Sequence, residues 1–185
     1  MTQQNLYFIA IIPPNDISQE VTAFRNDFKN NYNSRAALKN MPHITLKAPF
    51  KTEAHLHEQV IHWFNNLDVP IAPFDLELHN FGMFDNIKNP VVYVHPMPNE
   101  AMATLQKAVL NGFESAFPGI PVHFHEHTFS PHMTIAYRDL AYAEFIKAWQ
   151  GYSTKEYNSQ FEVNSFYLLQ HNGTAWKVVA EHTLK

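Results

Sequence analysis

Two short segments of this chain share a pattern of residue types that suits proton transfer. Residues 42–46 read Pro-His-Ile-Thr-Leu, and residues 131–135 read Pro-His-Met-Thr-Ile. Side chains alternate between the two faces of a strand, so each segment presents a histidine and a threonine side by side, while its apolar residues point into a core. The sequence therefore predicts two matching pairs of functional side chains, one in each half of the chain.

The residue types in these pairs are suited to the cleavage of a phosphodiester. A histidine titrates near neutrality, so one imidazole can take a proton from the attacking oxygen while another gives a proton to the leaving oxygen. Fixed donors such as threonine hydroxyls can stabilise the negative charge on the remaining phosphate oxygens. If the two segments face each other across a cleft, this chemistry needs neither a metal ion nor another cofactor, and we expect none.

The doubled pattern resembles the two-histidine (2H) phosphoesterase superfamily, which includes the 2′-5′ RNA ligases and the bacterial RNA cyclic phosphodiesterases. Its two motifs stand here as His43-Ile44-Thr45-Leu46 and His132-Met133-Thr134-Ile135. The resemblance covers nearly the whole chain. It implies an α+β fold with pseudo-two-fold duplication, in which two antiparallel sheets flanked by helices surround a central cleft. Residues 1–185 would form a single domain of two interlocked lobes, with one motif in each.

The resemblance also implies an activity and roles for the four motif residues. The expected reaction is metal-independent and acts on a 2′,3′-cyclic phosphate or a 2′-5′ phosphodiester of RNA or of a nucleotide, with 2′-5′ RNA ligation as the reverse direction. His43 and His132 would be the general acid and base, in an order that the sequence does not assign. Thr45 and Thr134 would hold phosphate oxygens. The expected partner is an RNA end, a nucleotide or another small cyclic phosphate.

Two further cations follow the motifs at strand spacing. Counting in twos from His43 leads through Thr45 to Lys47, and counting in twos from His132 leads to Arg138. If both strands stay regular, Lys47 and Arg138 lie on the cleft face, where they would bind phosphate. The alternative is that each is a solvated charge at the end of a strand.

A cluster of histidines provides a competing hypothesis. His123, His125 and His127 alternate with other residues, so a strand would place all three on one face. Such a face can bind zinc or iron, and the protein would then be a metal-dependent hydrolase. A second alternative is a non-catalytic module that binds a nucleotide or an RNA end. Because both motifs are intact, we expect an enzyme of the cyclic phosphodiesterase or 2′-5′ RNA ligase type without a metal site.

The pattern of apolar and polar residues along the chain predicts the helices and strands that position the motifs. Asn15 or Asp16, Thr52 and Asn99 are predicted to cap helices, and an Asn-Gly turn predicts a hairpin near the C-terminal end. The predicted strands cover residues 6–12, 41–50, 74–79, 91–95, 132–138, 161–171 and 175–184. The predicted helices cover residues 17–31, 52–67, 99–116 and 140–150.

The composition narrows the range of functions. The chain has 185 residues, of which 45% are hydrophobic, so it can bury a core. It contains no cysteine, which excludes thiol chemistry, and its net charge of −4 argues against tight binding to long nucleic acids. The apolar run of residues 6–12 is too short to span a bilayer. We expect a cytoplasmic monomer that has neither a membrane anchor nor an obligate protein partner.

Overall fold

The structure, a computed structural model, describes residues 3–185 and consists of eight strands and five α-helices within that range. The strands are β1 (Gln4–Ile11), β2 (Ile44–Glu53), β3 (Phe74–Phe84), β4 (Val91–Pro96), β5 (Met133–Ala136), β6 (Asn158–Val163), β7 (Ser165–His171) and β8 (Trp176–Thr183). The helices are α1 (Asn15–Asn31), α2 (His57–Asn65), α3 (Glu100–Ala116), α4 (Phe124–His127) and α5 (Tyr142–Tyr152).

The strands form two antiparallel sheets of four. The first sheet has the order β2-β1-β7-β8 and the second has the order β5-β4-β3-β6. Each motif strand, β2 or β5, is therefore an edge strand of its own sheet. This architecture confirms the predicted α+β fold with two antiparallel sheets and flanking helices.

The duplication is visible in the order of elements. Each half contains a strand, a helix, an antiparallel motif strand and a further helix: β1-α1-β2-α2 in the first half and β4-α3-β5-α5 in the second, where the short α4 is inserted between α3 and β5. The first helix of each half packs beside the motif strand of the other half: α1 contacts β5, and α3 contacts β2. A largely continuous cluster of buried side chains, from Tyr7 in β1 to Leu184, joins both sheets and all four long helices.

Several predicted boundaries are wrong for local physical reasons. Thr52 does not cap a helix: it is buried in β2, and a 3₁₀ turn (Ala54–Leu56) precedes α2. The predicted strand 161–171 is two strands that separate at Asn164, since β6 pairs with β3 in one sheet and β7 pairs with β1 in the other. Pro14, which has no side-chain donor or acceptor, stands at the cap of α1 in place of the predicted polar residue.

Other predictions hold at the level of single residues. Asn99 caps α3, and its side-chain oxygen accepts a hydrogen bond from the backbone N–H of Met102 at 3.0 Å. β7 and β8 form the predicted antiparallel hairpin, in which Gly173 adopts a φ of 95°. Within residues 3–185, no helix combines the length and the apolar character that a membrane span requires.

Candidate functional site

The four motif residues meet in one cavity between the two sheets. His43 and Thr45 from the start of β2 and His132 and Thr134 from the start of β5 all line this cavity, which has a volume of about 250 Å³. We call it the central cleft. The strands begin one residue after each histidine, so both imidazoles stand at the mouth of a strand rather than inside it.

Both histidines are anchored in the same way. The Nδ1 of His43 lies 2.8 Å from the carbonyl oxygen of Met41, and the Nδ1 of His132 lies 2.8 Å from the carbonyl oxygen of Ser130. A carbonyl oxygen can only accept, so each Nδ1 must carry the hydrogen. In the neutral ring the lone pair is then on Nε2, which is the nitrogen left to exchange a proton with a ligand.

Each motif strand carries a β-bulge directly after its threonine. Leu46 in β2 and Ile135 in β5 are extra residues without a partner across the ladder. A bulge shifts the alternation of side chains by one position, so the next residues, Lys47 and Ala136, turn into the core instead of continuing along the cleft face. The two halves thus share the bulge as well as the motif.

Because of the bulge, Lys47 does not lie on the cleft face where strand alternation predicted it. This residue is only 1% exposed and does not line the central cleft. Its Nζ donates to the carboxylate of Glu126 at 2.8 Å and lies 4.6 Å from the centre of the Phe113 ring. Lys47 is therefore half of a buried ion pair, and the prediction that it binds phosphate in the cleft is wrong.

Arg138 does line the central cleft, but not as a strand residue. β5 ends at Ala136, and Arg138 stands in the following turn with a φ of 60°, in the left-handed region that non-glycine residues rarely adopt. Its guanidinium lies 5.1 Å from the centre of the Tyr137 ring, and the residue is exposed at the rim. The turn, rather than strand alternation, brings this charge to the cavity.

A second arginine, which was not predicted from the sequence, lies in the cleft. Arg25 of α1 lines the cavity and is only 2% exposed. The buried positions of α1 are Ile17, Val21, Arg25 and Phe28, which follow one another at helical spacing. The signal was therefore present in the sequence as a single charged residue inside an apolar stripe, where a helix normally places only apolar side chains.

The electrostatics of the cleft favour an anion. Arg25 and Arg138 line it, whereas no aspartate or glutamate does among the described residues. Burial lowers the pKa of His43 to about 4, with the positive charges of Arg25 and of a protonated His132 adding to the effect. Burial also lowers the pKa of His132. Both shifts favour the neutral form of the imidazole.

Aromatic side chains pack against both imidazoles. The ring centre of Phe8 lies 4.9 Å from that of His43, while Phe84 and Tyr93 lie 5.1 and 5.6 Å from that of His132. The ring of Tyr93 covers Gly82 on the neighbouring strand, in the space that a Cβ atom would need. These contacts limit the movement of the imidazoles and keep water from one side of each ring.

The histidine cluster at residues 123–127 does not form the face that a metal site requires. These residues form the short helix α4, not a strand, because Glu126 accepts a hydrogen bond from the backbone N–H of His123 and so closes a capping box. The rings of His123 and His125 stack 5.5 Å apart, whereas the Nε2 of His127 lies 3.5 Å from the carboxylate of Glu114. Within the described part of the chain, no group of three histidine, aspartate or glutamate side chains is arranged to hold a metal ion.

A cleft between two antiparallel sheets, with one His-x-Thr motif on the edge strand of each, defines a two-histidine phosphoesterase. The chain belongs to the 2′-5′ RNA ligase superfamily of these proteins, whose model matches residues 13–175. It is 29% identical over 173 residues to a protein of Geobacillus kaustophilus that bears the name "Putative phosphoesterase GK0864", with 93% of this chain and 92% of that protein covered.

Solved structures share the fold. The crystal structure of E. coli LigT complexed with 3′-AMP aligns with a TM-score of 0.71 at 18% identity and covers 99% of both chains. The crystal structure of TT0787 of Thermus thermophilus aligns with a TM-score of 0.69 at 18% identity and covers 97% of both chains. At this level of identity the likeness shows a common fold.

Proposed function

We propose that this protein is a metal-independent phosphoesterase that opens 2′,3′-cyclic phosphates, or cleaves 2′-5′ phosphodiesters, in RNA ends or nucleotides. The observation that carries the proposal is the matched anchoring of the two imidazoles. In both motifs a backbone carbonyl takes the Nδ1 hydrogen, which leaves two Nε2 atoms for proton transfer in one cleft. A reaction that needs one base and one acid at a single phosphorus atom fits this arrangement.

The proposed reaction on a cyclic phosphate is a hydrolysis. One neutral imidazole accepts a proton on Nε2 from a water molecule as the water oxygen forms a bond to phosphorus. The bond from phosphorus to one ribose oxygen breaks, and the other imidazole, protonated on Nε2, donates its proton to that leaving oxygen. The product is a 2′- or 3′-phosphomonoester. Attack by a 5′-hydroxyl in place of water, with the ribose 3′-oxygen as the leaving group, would give a 2′-5′ linkage, and the reverse of that step would cleave one.

The pKa values favour a division of labour. The pKa of His43 is about 4, below its ordinary value because the ring is buried and because Arg25 adds positive charge nearby. We assign the neutral base to His43 on this ground, and His132, whose pKa is also lowered by burial, would then be the acid. The Thr45 and Thr134 hydroxyls and the Arg138 guanidinium line the same cleft and would donate to the non-bridging phosphate oxygens.

The experiment is a turnover assay on 2′,3′-cyclic mononucleotides, a short RNA with a 2′,3′-cyclic end, and a 2′-5′ linked dinucleotide, in excess EDTA. Phosphomonoester formation that His43→Ala and His132→Ala both abolish would support the proposal. Turnover that appears only when zinc or manganese is added would contradict it. Nucleotide binding without turnover at any pH between 5 and 8 (on the order of the histidine titration range) would favour the binding module instead.

A further inference from the structure

Arg25 is a buried cation without an anionic partner among the described residues. The residue is 2% exposed, and within residues 3–185 it forms no ion pair with a carboxylate. Burial lowers its pKa to about 10, so the guanidinium still carries its charge at neutral pH. A buried charge without a partner is costly, and proteins usually pair such a group or bind a ligand to it.

The contacts of Arg25 hold it in place without neutralising it. Its Nε and Nη2 donate to the carbonyl oxygen of Thr134 at 3.1 and 2.8 Å, and its Nη1 donates to the carbonyl oxygen of Asn40 at 2.6 Å. A guanidinium has five N–H groups, of which these contacts use one on each nitrogen. One N–H on Nη1 and one on Nη2 remain, on the residue that forms the buried wall of the central cleft.

The same contacts connect Arg25 to both motifs. Thr134 belongs to the second motif, and Asn40 lies three residues before His43 of the first. The guanidinium is thus fixed between the two lobes, and the charge of Arg25 lowers the pKa of His43 but is not among the causes that shift His132.

We propose that Arg25 is an anion-binding residue of the central cleft, and that the phosphate of a phosphate ester is the counter-ion that the fold leaves out. This inference rests on the proposed function for the identity of the ligand. It adds Arg25 to the residues that would bind the phosphate. Two N–H groups on neighbouring Nη atoms match two oxygens of one phosphate in the bidentate geometry that arginine favours. Entry of the anion would also raise the pKa of His43, which would couple binding of the ligand to the protonation state of the cleft.

The test measures binding of inorganic phosphate, independently of turnover. Isothermal titration would compare the unmodified protein with Arg25→Met, Arg25→Lys and a control, Arg35→Gln, which removes an exposed arginine outside the cleft. We expect Arg25→Met to weaken phosphate binding by at least about tenfold, because it removes the positive charge and the N–H groups that would bind the anion. Arg25→Lys should bind with intermediate affinity, and Arg35→Gln should bind as the unmodified protein does.

A second readout separates the charge of Arg25 from a structural role. The pKa values of both imidazoles would be followed by NMR in the same proteins. Loss of the charge in Arg25→Met should raise the pKa of His43 and leave that of His132 in place, whereas a general opening of the cleft would raise both. Arg25→Lys keeps a charge and should keep the pKa of His43 low, so this variant carries the test if Arg25→Met does not fold.

The outcomes also separate this inference from the proposed function. Phosphate binding that depends on Arg25, in a protein that turns over none of the cyclic or 2′-5′ substrates, would support the inference and refute the proposed function. Turnover of a cyclic phosphate, with phosphate affinity and the pKa of His43 unchanged in Arg25→Met, would support the function and overturn the inference. Absence of phosphate binding by the unmodified protein would overturn the inference as well.

Discussion

The buried pair of Lys47 and Glu126 should be the costliest polar contact to break. The two side chains are 2% and 5% exposed, and Nζ lies 2.8 Å from Oε2. Burial alone would raise the pKa of Glu126, but hydrogen bonds from Lys47 and from the backbone N–H groups of His123 and Ala48 outweigh it, so the pKa of Glu126 lies below its ordinary value. Lys47→Met removes the cation and leaves a buried carboxylate with two backbone donors.

We expect Lys47→Met to lower the free energy of unfolding by about 3–5 kcal/mol at pH 7, the usual cost of removing one partner of a buried ion pair. The assay is urea denaturation followed by circular dichroism. The matched control is Lys51→Met, an exposed lysine of the same strand, which should change stability by less than about 0.5 kcal/mol. The double variant Lys47→Met/Glu126→Gln should recover much of the loss, because it buries no unpaired charge.

The pH dependence of this variant gives a further check. Without Lys47 the pKa of Glu126 should rise, so the carboxyl group can take a proton and lose its charge as the pH falls. The deficit of Lys47→Met relative to the unmodified protein should therefore shrink between pH 7 and pH 4 (about the range over which a raised glutamate pKa would titrate). A loss of unfolding free energy below about 1 kcal/mol at pH 7 would refute this reasoning. Reduced phosphate binding without loss of stability would also refute it and would indicate that Lys47 binds phosphate in the cleft.

Three further predictions concern the cleft and its supports. Gly82→Ala should displace the Tyr93 ring that packs on His132, and so reduce turnover with little change in the secondary structure seen by circular dichroism. Asn99→Ala removes the cap of α3 and should lower the free energy of unfolding by about 1 kcal/mol in urea denaturation; no change would mean that the cap is not formed in solution. Protonation of His43 should destabilise the folded protein, because folding lowers the pKa of this ring from 6.5 to about 4. The contribution of neutral His43 to the free energy of unfolding is therefore complete above pH 6.5 and is lost as the pH falls to about 4. At about 1.4 kcal/mol per pH unit this loss is at most about 3–4 kcal/mol, and a His43→Gln variant should lack it.

The sequence predicted those parts of the fold and site that depend on local pattern. The doubled His-x-Thr pattern led to the cleft, because alternation holds from each histidine to its threonine. The helix α3 and its Asn99 cap follow from a polar residue placed before an apolar helical repeat. The α+β fold itself followed from the family resemblance and from the order of elements around the two motifs.

The failures arise where tertiary pairing overrides local pattern. The bulges at Leu46 and Ile135 depend on the register with a neighbouring strand, so nothing local indicated that Lys47 would turn inward. The histidines of residues 123–127 alternate as in a strand. The segment is helical instead, because the Glu126 carboxylate pairs with Lys47 and caps the helical turn. Arg25 carried a readable signal, since it interrupts an apolar stripe, although only the folded chain shows that the stripe leads to the cleft.

The dependence of turnover on pH reports on the same two imidazoles. Both pKa values lie below 6.5 in the free cleft, and the mechanism needs one neutral and one protonated ring. We therefore expect kcat/KM to follow a bell-shaped profile whose maximum lies below pH 6.5. A profile that stays flat from pH 5 to pH 8, about the range in which histidine titrates, would exclude proton transfer by the pair.

The central claim is that His43 and His132 act as one pair, and a double-mutant cycle on the best substrate of the panel tests it most directly. Each single variant, His43→Ala or His132→Ala, should lower kcat/KM by about 10²–10⁴-fold, and the double variant should lose little more than either one. The exposed His55→Ala variant is the control and should retain full activity. Losses that simply multiply in the double variant, or a single variant that retains normal turnover, would contradict the paired mechanism.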